Sequence, residues 1–164
     1  MDKIYLAGGC FWGIQGYFDL LKGVVDSKVG YANSIIENPS YTLVCTGSTH
    51  ATETLELTYD KNLISLQTLL KHFFSVIDPF ALNFQGNDFG TQYRSGIYAL
   101  DEESLNFAKN FVENLEKELQ RKIVTEVQML ENFYLAEEYH QKYLAKNPNG
   151  YCHIDLSKAL KELG

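Results

Sequence analysis

Residues 53–59 alternate strictly, with Leu55, Leu57 and Tyr59 on one face and Thr54, Glu56 and Thr58 on the other. That period of two is the mark of a half-buried strand. Residues 3–7 read as a short strand running into Gly8-Gly9, and Val24–Tyr31, Gly96–Leu100 and Val124–Leu130 as further strands. Elsewhere the apolar spacing lengthens to that of a helix. Ile14, Tyr17, Phe18 and Leu21 form one stripe within Phe11–Leu21, and Leu66, Leu69, Leu70, Phe73 and Phe74 another behind Ser65. A third stripe, Leu105, Ala108, Phe111, Val112, Leu115 and Leu119, follows Asp101-Glu102-Glu103, whose charges suit a helix N-terminus. Ala136–Lys146 reads as a last helix. A turn-rich loop runs through Asn38-Pro39-Ser40, and a polar loop from Asp78 to Arg94 is too long to be a mere connector. Strands and helices interleave without a parallel-sheet rhythm. The pattern predicts an α+β fold, a sheet with helices packed against it.

Composition narrows the partners more than the fold. With 164 residues, 45% of them hydrophobic, the chain suits one globular domain with a sizeable core. Its 14 Lys+Arg against 21 Asp+Glu leave a net charge of −7, a surface that repels phosphate backbones, so no nucleic acid partner is expected. Apolar runs are only a few residues long, far short of the roughly 20 a membrane span needs. No secretory signal is visible at the N-terminus, and a cytoplasmic location is expected. Three cysteines, an odd and small number, exclude a structural disulfide framework. Each needs its own explanation.

The most informative segment is Gly8-Gly9-Cys10-Phe11-Trp12-Gly13. Cys10 follows a strand and two glycines and stands where a helix begins. A thiol there meets free backbone N–H groups and the positive end of the helix dipole, which should lower its pKa and raise its nucleophilicity. The competing reading is a buried cysteine packed as a small hydrophobe. Phe11 and Trp12 are core aromatics or the wall of a pocket beside the sulfur. A phosphate-binding loop fails, because neither Gly-Lys-Ser/Thr nor Gly-x-Gly-x-x-Gly is present. A metal site fails too: Cys-x-x-Cys and His-x-x-x-His are absent, and the adjacent Cys152-His153 is a poor spacing for two ligands of one ion.

At Gly9-Cys10-Phe11-Trp12-Gly13 the sequence resembles the A-type methionine sulfoxide reductases, which reduce the S epimer of methionine sulfoxide. The likeness continues in register over roughly residues 4–155. Gly30-Tyr31 and Pro39-Ser40-Tyr41 are similar to the family's next loop, and Val44-Cys45-Thr46-Gly47 with Ala51-Thr52-Glu53 to its Gly-His-Ala-Glu stretch. Asn83 and the block from Gln85 to Ser95 are highly specific, and Ala136–Leu144 and Gly150-Tyr151-Cys152 complete the match. The resemblance implies a two-layer α/β sandwich with a mixed, largely antiparallel sheet, related to ferredoxin-like folds. It implies a single catalytic domain over 1–164, whose C-terminal segment 147–164 carries a resolving cysteine.

The resemblance also implies roles. Cys10 matches the catalytic cysteine whose thiolate attacks the sulfoxide sulfur. Glu53 matches the acid that protonates the departing oxygen. It shares strand parity with Leu55, Leu57 and Tyr59, so desolvation should keep it protonated near neutrality. Tyr41 and Tyr93 match two tyrosines that hydrogen-bond the sulfoxide oxygen. Asp88 matches an active-site acid that organises its loop, and Phe11 and Trp12 match the pocket for the substrate methyl. Cys152 matches the resolving cysteine, which condenses with the sulfenic acid on Cys10. Thioredoxin would then reduce the Cys10–Cys152 disulfide. Cys45 is expected to be a bystander. The implied enzyme is a monomer without cofactor or metal that acts on methionine-S-sulfoxide, free or in oxidised proteins. A thiol peroxidase shares the sulfenic chemistry, and a non-catalytic module binding oxidised methionine is a further alternative.

Three departures from the family pattern stand out. His50-Ala51-Thr52-Glu53 replaces Gly-His-Ala-Glu, so the His has moved one place while Glu53 keeps its register. Ile77-Asp78-Pro79-Phe80 replaces a commoner His-Asp-Pro-Thr. A helix-like tail bearing Leu156, Leu160 and Leu163 stands where some relatives have a Gly-rich tail with a further recycling cysteine. One resolving thiol is therefore expected.

Overall fold

The computed structural model describes residues 1–160. Its elements are β1 (Asp2–Ala7), α1 (Phe11–Phe18), β2 (Val24–Ala32), α2 (Tyr41–Cys45), β3 (Thr52–Tyr59), α3 (Leu66–Val76), β4 (Phe84–Gln85), β5 (Asp88–Phe89), β6 (Gly96–Ala99), α4 (Glu102–Leu119), β7 (Glu126–Met129), β8 (Phe133–Leu135) and α5 (Tyr143–Lys146). Six strands form one sheet in the order β7-β6-β1-β3-β2-β8, antiparallel throughout except for the β6–β7 pair. Within it, β1-α1-β2-β3-α3-β6 with strand order β6-β1-β3-β2 is the split β-α-β arrangement of ferredoxin-like folds. The mixed, largely antiparallel α+β architecture is as expected.

Strand parity decides which face carries the helices. Ile4 and Leu6 of β1, Val29 and Tyr31 of β2, and Leu55, Leu57 and Tyr59 of β3 join α1, α3 and α4 in one buried core. Tyr5, Ala7, Ala32 and Tyr98 face the other way, into a small cluster covered by Leu130 and Phe133. Helix starts follow the capping residues: the hydroxyl of Ser65 accepts from Thr68 N, and the carboxylate of Asp101 from Ser104 N.

Two regions depart from expectation. The predicted helix over Ala136–Lys146 breaks into a 3-10 turn at Glu138–His140, a left-handed Lys142 (φ 54°) and the four-residue α5. The cause is tertiary. Ala136 N and the Gln141 amide occupy the edge of β2, where Gln141 Oε1 accepts from Val29 N at 2.9 Å and Nε2 donates to Val29 O at 2.8 Å. Gln141 thus prolongs the pairing begun by β8, a strand too short to announce itself, and Lys142 N is drawn to Gln15 Oε1 at 2.7 Å. The long loop is structured as well: β4 and β5 pair as a two-residue ribbon, followed by a 3-10 turn at Thr91–Tyr93. Gly30 and Tyr31 lie within β2, in the strand read over Val24–Tyr31 and not in the loop that the resemblance gave them. The tail forms a 3-10 helix at Leu156–Leu160, and Leu163 lies outside the described residues. No helix among the described residues is long and apolar enough to cross a membrane.

Candidate active site

Gly9 starts the site. Its φ of 87° suits glycine, and a side chain there would come within 2.7 Å of Gln85 Cβ. The chain can therefore turn sharply out of β1 and present Cys10 at the N-cap of α1. The main-chain N–H groups of Trp12 and Gly13 at the helix start favour its thiolate. They do not prevail. Burial, and then the charge of Glu53, push the Cys10 thiol far above its ordinary range. The expected fall in pKa is overturned: at 8% exposure desolvation outweighs two amides and a helix end. The resting thiol is neutral.

Glu53 pairs with Tyr31 across the β2–β3 ladder and is 1% exposed on the helix-bearing face of the sheet. Phe11 N donates to its Oε1 at 3.2 Å, while Oε2 has no hydrogen-bond partner. Burial pushes the carboxyl up from 4.5 to about 8, with Asp88 adding to the rise and the Phe11 amide opposing it. Since Oε1 is already an acceptor, the proton of the neutral acid belongs on Oε2. Glu53 thus holds an uncommitted O–H donor in a dry site at neutral pH.

Tyr41 opens α2, whose start is set by Ser40 capping Leu43 N. Tyr93 ends the 3-10 turn after β5. Burial followed by the Glu53 charge pushes both phenols far above their ordinary range, so both remain O–H donors. Glu137 ties this wall down: its Oε2 accepts from Tyr41 N at 2.9 Å and its Oε1 from Tyr31 OH at 2.7 Å. Burial alone would raise the Glu137 carboxyl, but these donors hold it below the ordinary carboxylate range.

Phe11 is fully buried against Tyr31, and Trp12 is half-buried, stacked on Tyr143 at 3.7 Å. The Trp12 indole N–H donates to His140 Nδ1 at 2.9 Å. His140, 1% exposed, also packs against Tyr41 and Phe11, and burial lowers its pKa, so a neutral ring braces the pocket wall. Cys45 ends α2, four residues after Tyr41, and is exposed.

Cys152 arrives from the far end of the chain. Its Sγ donates to Ile154 O at 3.2 Å and lies 3.2 Å from where a Cβ of Gly13 would be. Gly13 follows Cys10 by three residues, hence on the same face of the first helical turn. The second thiol therefore occupies space that the absent side chain leaves beside the first. Asp88 accepts from Tyr151 OH at 2.9 Å and so holds the residue next to Cys152. All three thiols are free. Every residue singled out in the sequence comes to this end of the sheet. Glu137, His140, His153 and the spacing role of Gly13 were not singled out, since their meaning lies in contacts across the chain. Among the described residues, no group of three or more His, Cys, Asp or Glu could hold a metal ion.

Comparisons with known proteins agree in kind. The family model described as peptide methionine sulfoxide reductase matches residues 2–163. A relative from Ureaplasma urealyticum, described as peptide methionine sulfoxide reductase MsrA, is 54% identical over 161 residues, 98% of either chain. Among solved structures, Mxr1 from Saccharomyces cerevisiae in reduced form is similar with a TM-score of 0.87 at 42% identity, covering 92% of this chain and 88% of that one. Mxr1 in complex with Trx2 is similar with a TM-score of 0.63 at 30% identity, covering 87% and 84%.

Proposed function

The chain belongs to the peptide methionine sulfoxide reductase family, and on that premise we propose that Cys10 and Glu53 reduce methionine-S-sulfoxide, with Cys152 resolving the product. The protein is an oxidoreductase that reduces methionine sulfoxide and is recycled by thioredoxin, the pairing that the Mxr1–Trx2 complex supports. The observation that carries the residue assignment is the Glu53 acid, pushed up to about 8, with its Oε2–H unspent beside a nucleophilic turn.

A neutral thiol and a neutral acid define the order of proton movements. Glu53 gives its proton to the sulfoxide oxygen, which cannot leave as a bare oxide. The Cys10 proton passes to Glu53 as its sulfur engages the substrate sulfur. The substrate S–O bond breaks, oxygen ends on Cys10 as a sulfenic acid, and the substrate sulfur gains the two electrons that Cys10 loses. Tyr41 and Tyr93 donate to the oxygen as charge builds on it, and Phe11 and Trp12 seat the methyl group. Cys152 then attacks the Cys10 sulfur and water leaves, giving the Cys10–Cys152 disulfide that thioredoxin reduces. The work is done by one domain in the cytoplasm, on both free and peptide-bound substrate.

Methionine release from the separate S and R sulfoxides, with dithiothreitol as reductant, tests this reading. Reduction of S is expected, and reduction of R alone would overturn it.

A further inference from the structure

Beyond the assigned residues, the least explained polar atom is Nδ1 of His153. The Nε2 atom of that ring lies 3.0 Å from Gly8 O. A carbonyl only accepts, so Nε2 carries the proton and Nδ1 is left as a bare acceptor. Nδ1 is buried and has no hydrogen-bond partner. Buried polar atoms are almost always paired, and an exception calls for a reason.

The surroundings supply one. A Cβ on Gly13 would lie 3.4 Å from His153 Nδ1 and 3.2 Å from Cys152 Sγ, so ring and thiol share the gap over the first turn of α1. The thiol meanwhile donates to Ile154 O, a weak attachment that a small rotation releases. The ring also rests on the turn before Cys10, its Nε2 3.0 Å from where a Cβ of Gly9 would be, and the His153 Cβ lies 3.7 Å from where one of Gly86, at the tip of the β4–β5 ribbon, would be. Its titratable neighbours are Asp88 on that ribbon, Cys10 on the nucleophile turn, and Tyr151 and Cys152 on its own segment. Burial holds the ring below its ordinary pKa, which keeps Nδ1 open to a proton at neutral pH.

Resting on the roles given above to Cys10 and Cys152, we propose that His153 drives the resolving step, its Nε2–H clamping the tail to Gly8 and its Nδ1 taking the Cys152 proton. The Cys152 S–H bond breaks, the proton passes to Nδ1, and the sulfur attacks the Cys10 sulfenic sulfur. The S–O bond there breaks, and the departing hydroxide takes the proton from the imidazolium and leaves as water. Cys152 sulfur is oxidised by one electron and Cys10 sulfur reduced by one, so the step needs no outside reductant.

The test compares the full-length reduced protein with His153→Gln and His153→Ala, each given one equivalent of methionine-S-sulfoxide without thioredoxin. Methionine formation serves as the internal reference. Thiol titration follows disulfide closure, since a sulfenic acid leaves two thiols and the disulfide leaves one, Cys45, of the original three. The Gln amide can donate to Gly8 O but cannot take up the proton. At pH 7, disulfide closure in His153→Gln should be about tenfold slower or more. It should approach the unsubstituted rate near pH 9, where hydroxide from solution can take the proton in place of the ring. His153→Ala, which loses the clamp too, should be slow at both pH values. Closure in His153→Gln at the unsubstituted rate at pH 7, or slowed equally at pH 7 and 9, would overturn the proposal. Methionine release without disulfide in the unsubstituted protein would instead sink the assignment of Cys152, and this proposal with it.

Discussion

The two residues proposed to work with Cys10, Glu53 and Cys152, are held in opposite ways. Glu53 sits in β3, with β1 and β2 hydrogen-bonded on either side and the helical layer over it. Cys152 belongs to no strand, follows Asn147-Pro148-Asn149-Gly150, and is fixed by single hydrogen bonds from its neighbours Tyr151 and His153. The acid must stay dry and immobile, because its proton is useful only while desolvation keeps it there. The resolving thiol must approach, bond and then be reached by a reductant, which a sheet residue could not do without unpicking its ladder. The reducing half of the site is thus built into the sheet and the resolving half laid over it.

The comparison breaks most completely at the shared atom. Cys10→Ser should abolish methionine release altogether, whatever the reductant. Cys152→Ser should separate the halves: about one methionine per chain is still formed, and thioredoxin-coupled turnover falls to background. Full coupled turnover in Cys152→Ser, followed by NADPH consumption through thioredoxin, would remove Cys152 from its role.

Glu53→Gln probes the sheet-held half alone. Loss of the acid should slow methionine formation on the order of 10²-fold or more in single turnover, with the later disulfide step untouched. In the unsubstituted protein methionine formation should weaken as pH rises through about 8, where Glu53 loses its proton. Stability should fall too, over a lower window. Between 4.5 and about 8 the unfolded chain ionises Glu53 and the folded chain does not, so stability falls as pH rises through that window. At pH 7 the cost is roughly 3 kcal/mol. Glu53→Gln should recover part of it and melt higher, and a lower melting temperature would mean that burial of the acid is not what strains this site.

Tyr151→Phe probes the tail-held half more gently. It deletes one half-exposed hydrogen bond, to Asp88, of about 1 kcal/mol or less. Disulfide closure should slow a few-fold and methionine formation should hold. An equal loss in both steps would show that Asp88 serves the reducing half instead.

How much of this was legible in the chain follows the same division. The sheet-held half could be read locally: strict alternation over 53–59 put Glu53 on the apolar face, and Gly8-Gly9 before a helical stripe put Cys10 at a helix start. The thiol's pKa could not be read, because a helix N-terminus favours the thiolate by itself and only the packed structure shows how far burial opposes it. The tail-held half was invisible as geometry. Gly13 matters for a side chain it lacks, and Gln141 breaks a predicted helix by bonding to Val29 from 112 residues away. Such contacts leave no periodic trace.

The smallest effect concerns the turn that leads into Glu53. His50 has a φ of 59°, the left-handed region that favours glycine, at the position where the family pattern carries Gly. Its carbonyl accepts from Arg94 Nη2 at 2.9 Å, a main-chain bond that does not depend on the imidazole, and its side chain is exposed. The left-handed conformation costs a non-glycine residue about 1 kcal/mol, partly offset in any replacement by the greater freedom of glycine in the unfolded chain. His50→Gly should therefore stabilise the protein by about 0.5 kcal/mol, a rise of one or two degrees in melting temperature. Methionine formation should be unchanged, because β3 is registered against β1 and β2 independently of the turn. A changed rate of methionine formation would mean that the turn, and not only the ladder, aims Glu53, and the sheet-held half of the site would then reach back as far as residue 50.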